Sequence, residues 1–374
     1  MPGLGKNSPI ILSQSRGNFE ALIERHGQWL RWRIAKKCPC VTENNRHDIH
    51  CEKCGGAGDI YDCQREYDDV YRATVRDNII ELPKEYGDDA RIIEILDSKA
   101  GKFQFCRCGE FIQIINGTIP NGELVDVKIR VPLVKRLETV VLEKVGRGYY
   151  RVPGILTEPS PIEGVSYQAA GDVIAIAELK DEDKNPVNIL GYRRDMVIAD
   201  TQTETLTAYS VEYVMPVRFL VLSQNLSKAD ADFVEAHQGS AVCTYPYIYN
   251  LSANDALTVL SGSMTQKIVI AKRGDGIDDT IPEFFVAQID CVETKTAAYA
   301  EGVDFILIGA NKLHWMGSQP EAGEIMSITY RYHPTFRVTK EIPMLRTSED
   351  QRMPRKVALN LFSGFGEAKG VNRQ

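Results

Sequence analysis

Five of the nine cysteines in this 374-residue chain fall close together near its start, and their spacing predicts a metal site. One proline separates Cys38 from Cys40, and two residues separate Cys51 from Cys54. The C-x-x-C spacing suits zinc because a tight turn points both sulfurs at one tetrahedral centre. The segment between the two pairs is short enough to form a single loop. We therefore predict that these four cysteines hold one zinc ion.

Glycines and basic side chains around the cysteines fit this prediction. Three glycines after the second pair permit the positive φ angles that turn backbone amides toward the sulfurs: Gly55, Gly56 and Gly58. Four upstream cations are expected to offset the negative charge of a four-thiolate zinc site: Arg31, Arg33, Lys36 and Lys37. Two alternatives stay open. His47 or His50 replaces one cysteine as a ligand, or the cluster is a set of disulfides or free thiols.

A site closed by four cysteines predicts a structural metal, because catalytic zinc keeps one coordination position open and usually has three protein ligands. Elsewhere the sequence lacks the phosphate-binding, dinucleotide-binding, metalloprotease and hydrolase motifs. The acidic loop at residues 272–280 predicts a solvated hairpin tip, with calcium binding as the alternative. The six histidines are scattered, and we expect no catalytic residues and no enzymatic activity.

A second close pair, Cys106 and Cys108, lies far along the chain. We interpret both as strand residues, with one side chain pointing inward and the other outward. The alternatives are a second metal site or a redox pair. The sequence leaves open whether any of the five cysteines outside the cluster form disulfides: Cys63, Cys106, Cys108, Cys243 and Cys291.

The elements that must position these cysteines are mostly strands. Residues 17–36 carry apolar residues at spacings of three and four and predict an N-terminal helix. After residue 65 short alternating segments such as LVDVKIRV and DVIAIAEL recur between Gly, Pro, Asn and Asp residues. The predicted fold is mainly β, with tandem β-sandwich or barrel-like modules, an N-terminal helix and a small zinc-knuckle segment.

Composition shifts divide the chain into five segments. They are a helix and cysteine segment (1–62), three β modules (63–155, 156–238 and 239–345), and a C-terminal arm (346–374). The arm is expected to become ordered only where its apolar patch finds a groove, in its own chain or a neighbour's.

Two of the strand segments resemble one another. YSVEYVMPVRFLV (209–221) aligns with MSITYRYHPTFRV (326–338), and LVDVKIRVPLVKRL (124–137) resembles both weakly. Duplicated β modules explain the likeness, and chance similarity between amphipathic strands is the alternative.

Charge and hydropathy exclude several classes of partner. The formal net charge of −7 disfavours a broad nucleic-acid-binding face, so we expect no sequence-specific nucleic acid as a partner. No apolar run approaches the length of a membrane span, and the first residues do not resemble a secretory signal. We expect synthesis in a reducing cytoplasm and no membrane partner.

Two stretches resemble structural proteins of tailed bacteriophages. CPCVTENNRHDIHCEKCGGAGDIYD (38–62) follows the tryptophan-rich and basic QWLRWRIAKK, as a similar cysteine segment does in those proteins. The second resemblance lies in residues 298–338, and MPRKVALNLF (353–362) extends it. The residues that carry the second resemblance are Gly302, Val303, Asp304, Phe305, Trp315, Pro320, Gly323, Ser327 and Tyr330.

The resemblance implies a virion structural component, assembled in the host cytoplasm. Its expected place is a neck, collar or head–tail connector ring, with homo-oligomeric subunits and other neck or tail proteins as partners. The alternatives are a tail, baseplate or fibre-attachment binding module, whose aromatic segment TYPYIYN (244–250) would bind a glycan, and, less favoured, a zinc hydrolase. CEKCGGAG alone also resembles the zinc repeat of DnaJ-type chaperones, but this chain lacks their repeated copies and J domain.

Overall fold

The computed structural model confirms a mainly β protein, with 59% of residues in strands and 3% in helix. The chain forms two compact units, one of residues 64–135 and one of residues 1–63 together with 136–374. The five-segment division stays a prediction. The structure describes residues 16–43, 46, 48, 51, 54, 58–83, 86, 89–97, 101–157, 168–223, 240–246, 248–283, 285–309, 311–342 and 354–362.

Within these residues one helix and 27 strands are numbered in chain order. They are α1 (Arg16–His26), β1 (Gln28–Lys37), β2 (Asp59–Cys63), β3 (Glu66–Thr74), β4 (Ile79–Glu81), β5 (Arg91–Asp97), β6 (Gly101–Lys102), β7 (Phe105–Cys108), β8 (Phe111–Ile114), β9 (Leu124–Pro132), β10 (Val134–Gly146), β11 (Tyr149–Arg151), β12 (Asp172–Lys180), β13 (Ile189–Arg193), β14 (Met196–Ala199), β15 (Leu206–Val214), β16 (Val217–Ser223), β17 (Ser240–Tyr245), β18 (Ala256–Val259), β19 (Met264–Ala271), β20 (Asp279–Thr280), β21 (Val286–Glu293), β22 (Ala298–Tyr299), β23 (Phe305–Ile308), β24 (Lys312–Trp315), β25 (Ile325–Tyr332), β26 (Thr335–Ile342) and β27 (Arg355–Phe362).

Six antiparallel strands of the larger unit close into a barrel, in the order β1, β16, β17, β27, β26 and β18. The barrel closes at β1, where Leu30 faces Val217 of β16 on one side and Val259 of β18 on the other. The apolar patch of the predicted C-terminal arm forms β27, between β17 and β26. That patch therefore pairs with strands of its own chain.

The N-terminal helix is shorter than predicted. It ends at His26, and the residues QWLRWRIAKK form β1 instead of a second helical half. Gly27 marks the change, because a Cβ atom there would lie 2.3 Å from the carbonyl oxygen of Ile23. The two tryptophans and Ile34 favour a strand, and pairing with β16 and β18 supplies the hydrogen bonds that a helix would otherwise make internally.

Two further β modules belong to the same unit and are inserted between barrel strands. One is a six-stranded sheet in the order β12, β15, β10, β11, β14, β13, with Tyr150 and Val197 fully buried in its core. The other combines a four-stranded sheet (β19, β25, β21, β22) with a three-stranded sheet (β20, β24, β23). Buried side chains from both sheets, including Phe305 and Ile328, form one core and make this module a sandwich.

The similar segments found in the sequence have the same role in the fold. Residues 209–221 run from β15 of the six-stranded sheet through Pro216 into barrel strand β16. Residues 326–338 run from β25 of the sandwich through Pro334 into barrel strand β26. Both segments therefore leave an inserted module and enter the barrel, which explains the shared proline. Duplication itself stays a hypothesis.

The smaller unit, residues 64–135, contains a four-stranded sheet (β3, β9, β5, β6) and a three-stranded sheet (β4, β8, β7). Strand β9 buries alternate residues on one face, from Val125 to Val131. On its other face Arg130 binds Asp68 of β3 through two nitrogen–oxygen contacts, at 2.7 and 3.0 Å. The alternation predicted from LVDVKIRV is therefore present as a half-buried strand.

Candidate metal centre

The cysteine cluster lies in the connection of the β1–β2 hairpin. The hairpin register pairs Lys37 with Asp59, so the two strands deliver the ends of this connection side by side. The amide of Cys38 donates a hydrogen bond to the carbonyl oxygen of Gly58 at 2.8 Å and continues the ladder by one step. Gly58 has a φ of +79°, the conformation predicted for the glycines of this segment.

Two local turns position the cysteine sulfurs of the cluster. The amide of Val41 donates to the carbonyl oxygen of Cys38 at 2.9 Å, which closes a β-turn with Pro39 at its second position. Proline favours that position because its ring fixes φ near the required value. A second turn brings Cys51 into place through a 3.1 Å bond from its amide to the carbonyl oxygen of Asp48.

The four predicted ligands lie close enough together to bind one metal ion. All four sulfurs lie within 4.8 Å of one another. The Cys38 and Cys51 sulfurs are 3.7 Å apart, and those of Cys40 and Cys54 are 3.6 Å apart. A tetrahedral centre with metal–sulfur bonds of about 2.3 Å requires sulfurs about 3.8 Å apart. The donor set therefore fits a tetrahedral, thiophilic ion such as zinc or iron.

Crowding of the sulfurs opposes their ionisation while no cation is bound. The pKa of the Cys40 thiol is raised to about 12, chiefly by burial and also by the neighbouring thiols of Cys38, Cys54 and Cys51, while a hydrogen bond with the backbone of Asp48 lowers it. Four thiolates at these distances repel one another unless a cation shares their charge. Metal binding at this cluster therefore requires the release of protons, and its affinity will fall with falling pH.

The surroundings of the cluster differ partly from expectation. Arg31 pairs with the carboxylate of Asp172, and the Lys36 ammonium lies 2.6 Å from the carboxylate of Asp62. Their charge is thus balanced within the protein. His47 and His50, the alternative ligands, lie outside the described residues, as do Gly55 and Gly56.

The loop at residues 272–280 is exposed at its tip, as predicted, but its two ends are buried. Lys272 and Asp279 are buried, and the ammonium lies 3.2 Å from a carboxylate oxygen. The same ammonium donates to the carbonyl oxygens of Gly274 at 2.5 Å and Ile277 at 2.8 Å. The indole of Trp315 donates to Asp279 at 2.8 Å. Asp279, one of the three aspartates of this acidic loop, is thus paired with a buried lysine.

The structure brings together one histidine–carboxylate pair that the sequence did not predict. His314 Nδ1 lies 2.8 Å from an oxygen of Asp278, and both side chains are about one-third exposed. The two residues meet because β20 and β24 pair with Asp279 opposite Leu313. In the sequence, only the dipeptides Asp278–Asp279 and His314–Trp315 could have suggested this pair. The absence of enzymatic activity stays a prediction.

A buried polar junction lies inside the larger unit. Arg31 of β1 forms an ion pair with Asp172 at the start of β12, and both side chains are less than one-tenth exposed. The guanidinium carbon of Arg31 lies 4.6 Å above the ring of Phe285. That ring packs against His333, whose Nδ1 lies 2.7 Å from the carbonyl oxygen of Gly262. The junction joins the barrel to both inserted modules.

We predict that His333 makes the protein less stable in mild acid. Burial lowers the pKa of His333 below 6.5, the bond to Gly262 opposes this, and the cations Arg194 and Arg193 favour it. Between the folded-state pKa and 6.5 the unfolded chain binds a proton that the folded chain does not. The free energy of unfolding should therefore rise with pH through this window and level off above it.

The test compares denaturant unfolding of the parent and His333→Asn at several pH values from neutral to mildly acidic. Asparagine keeps a donor for the Gly262 carbonyl but does not titrate. The difference between the two stabilities should shrink as the pH falls. Parallel curves for the two proteins would contradict the prediction.

Two smaller predictions were wrong. Cys106 and Cys108 are both exposed on β7, so neither side chain points inward. Tyr245, in the segment (244–250) that the binding-module alternative expected to bind a glycan, is fully buried, and its ring centroid lies 5.6 Å from that of Phe219. Tyr247 of the same segment lies outside the described residues.

No family model matches the sequence, and a search of curated proteins finds no match. Within the described residues no helix has the length and apolar character needed to cross a membrane.

Proposed function

We propose that this chain is a structural component of a tailed-phage virion, a neck, collar or head–tail connector ring protein that joins its neighbours by subunit tiling. Zinc held by Cys38, Cys40, Cys51 and Cys54 staples the β1–β2 hairpin in this proposal. The observation that carries the structural role of the metal is the cluster of four cysteines. Four sulfur ligands complete a tetrahedron and leave no position for substrate or water, which favours a structural role.

The position of the cluster supports a staple. The connection that carries it follows directly from β1, which closes the barrel against both β16 and β18. Beyond the cluster, β2 contacts two other barrel strands: Asp59 lies 3.2 Å from the guanidinium of Arg337, and the Tyr61 ring lies 5.6 Å from that of Phe362. A metal at the hairpin connection would hold β2 against the barrel wall.

The virion assignment rests on the resemblance to tailed-phage proteins. In this fold the resembling residues build the sandwich: Phe305 and Tyr330 are buried, Trp315 packs 5.6 Å from Phe305, and Gly302 and Gly323 have positive φ. The residues that carry the resemblance thus shape and fill the sandwich core, and the functional meaning of the resemblance is the proposal.

Exposed apolar strand faces give independent support for assembly. Val269 and Ile325 lie near one another on the outer face of the sandwich and are 65% and 64% exposed. They line a groove of about 430 Å³ together with Ser327. Val141 and Val145 on β10 are at least half exposed as well. Subunit contacts would remove such faces from water, which is the main source of association energy.

Native mass spectrometry of the full chain, purified without added metal, tests the proposal. We expect a closed oligomer of one defined size with one zinc ion per chain. Electron microscopy of the same sample should show rings. A metal-free chain that stays monomeric at high concentration and is missing from purified particles would refute both the ring and the staple.

A further inference from the structure

The exposed cysteine pair on β7 points to a contact that the proposed function does not use. Cys106 and Cys108 lie on the same face of this strand, and both thiols are exposed and unbonded. Strand β7 is the last strand of its sheet in the order β4, β8, β7, so its outer edge has no strand neighbour among the described residues. They are also the two cysteines of the smaller unit.

The two thiols are poorly placed to bond with each other. Residues two apart on a regular strand are separated by about 6.8 Å between Cα atoms. That is the upper limit for a disulfide, whose common separation is about 5.5–6 Å. Residues directly opposite on antiparallel strands are about 4.5–5.5 Å apart, which suits a disulfide better. A partner strand is therefore a better match for each thiol than its own neighbour.

The local sequence is self-complementary. When two copies of β7 pair antiparallel about a two-fold axis at Arg107, Cys106 of each copy faces Cys108 of the other on the exposed face. The two Arg107 side chains meet on the opposite face. Each guanidinium is already held in its own chain, by the carbonyl oxygens of Gly109 at 2.9 Å and of Ala90.

The face that would adjoin such a contact carries exposed apolar side chains beside the polar Gln113 and Glu81. Phe111 of β8 lies opposite Cys108 in the register and is 49% exposed. Ile79 of β4 lies opposite Gln113 in the same sheet and is 39% exposed. Extending the sheet across a two-fold axis would cover part of this face. Edge pairing would also satisfy backbone groups on the outer side of β7.

We propose that β7 is a self-association edge, at which two copies of this chain become linked by reciprocal Cys106–Cys108 disulfides under oxidising conditions. A small-molecule disulfide such as oxidised glutathione is the oxidant. The Cys106 thiolate attacks one of its sulfurs and releases one glutathione thiolate. Cys108 of the second copy then attacks the Cys106 sulfur and releases the other. Each linkage thus consumes two thiols and reduces one glutathione disulfide to two thiols.

Paired single variants test both the contact and its register. Full-length metal-loaded protein is incubated with oxidised glutathione and separated on non-reducing gels, and the cross-linked peptides are identified by mass spectrometry. The parent should give a covalent dimer. Cys106→Ser alone and Cys108→Ser alone should each give at least about tenfold less covalent dimer than the parent. In either variant the remaining thiol of this pair faces a serine of the second copy.

A mixture of the two variants should recover the dimer. Random pairing across an isologous contact makes about half of the pairs mixed, and each mixed pair can form one disulfide. Cys291→Ser is the control and should cross-link like the parent. The proposal is overturned by a disulfide within one chain, by equal cross-linking of a single variant and the parent, or by no dimer from the parent. Failure here leaves the metal staple and the ring untouched, because neither involves these thiols.

Discussion

Replacing Cys51 with serine is expected to abolish metal binding and to cause a large loss of stability. Structural zinc contributes an apparent binding free energy of about 10–16 kcal/mol at neutral pH in small zinc domains. The connection between β1 and β2 relies on local turns, and only Cys38 of its four ligands is buried. Without the metal we expect this connection to unfold and the thermal midpoint to fall sharply.

Metal content by mass spectrometry and thermal unfolding by circular dichroism measure this prediction together. Cys63→Ser is a matched control, because Cys63 lies at the end of the same hairpin but outside the four-sulfur cluster. It should keep its metal. Cobalt substitution of the parent should give the visible spectrum of a tetrahedral sulfur site. Unchanged metal content and midpoint in Cys51→Ser would show that this cysteine is not a ligand.

Replacing Lys272 with methionine is expected to cost about 3–5 kcal/mol of unfolding free energy, because it leaves a buried carboxylate without its cation. The Lys272 side chain has an exposed fraction of zero, and its ammonium binds Asp279 together with two carbonyl oxygens of its loop. Methionine conserves the apolar part of the side chain. The loss should therefore come from the unpaired Asp279 and from the two carbonyl oxygens.

A control pair lies in the same sandwich. Lys267 and Glu293 lie 3.3 Å apart, but their side chains are 59% and 47% exposed. Lys267→Met should change stability by no more than about 1 kcal/mol, since solvent screens exposed ion pairs. A double-mutant cycle with Asp279→Asn measures the coupling of the buried pair by denaturant unfolding. A coupling near zero, or similar losses for both lysines, would contradict the prediction.

The buried Lys272–Asp279 pair could not be predicted from the residues of its own loop. Three aspartates and two glycines in a short loop predict solvent exposure, and that rule holds for Asp275 but fails for Asp279. The deciding contact is Trp315, which lies 36 residues away and arrives through the pairing of β20 with β24. A local composition rule has no access to such a partner.

Sequence alone determined the features whose chemistry is local. The spacing of Cys38, Cys40, Cys51 and Cys54 predicted the cluster, because the sulfurs are brought together by short turns within one connection. Alternation and turn residues predicted a mainly β chain, because a half-buried strand shows its period of two in any segment. Pro216 before β16 and Pro334 before β26 were recognised as a repeated pattern, because each lies in a short segment whose neighbouring residues are also similar.

Tertiary structure decided the features that depend on distant partners. Residues 28–37 became a strand instead of a helix because the barrel offers hydrogen-bonding strands on both sides. Its Trp32 indole donates to the buried carboxylate of Asp255 at 2.9 Å, across 223 residues of chain. Which face of β7 is exposed likewise depends on its sheet rather than on its own residues. The periodicity of a segment indicates that one of its faces is buried, but which groups cover that face is decided only by the tertiary fold.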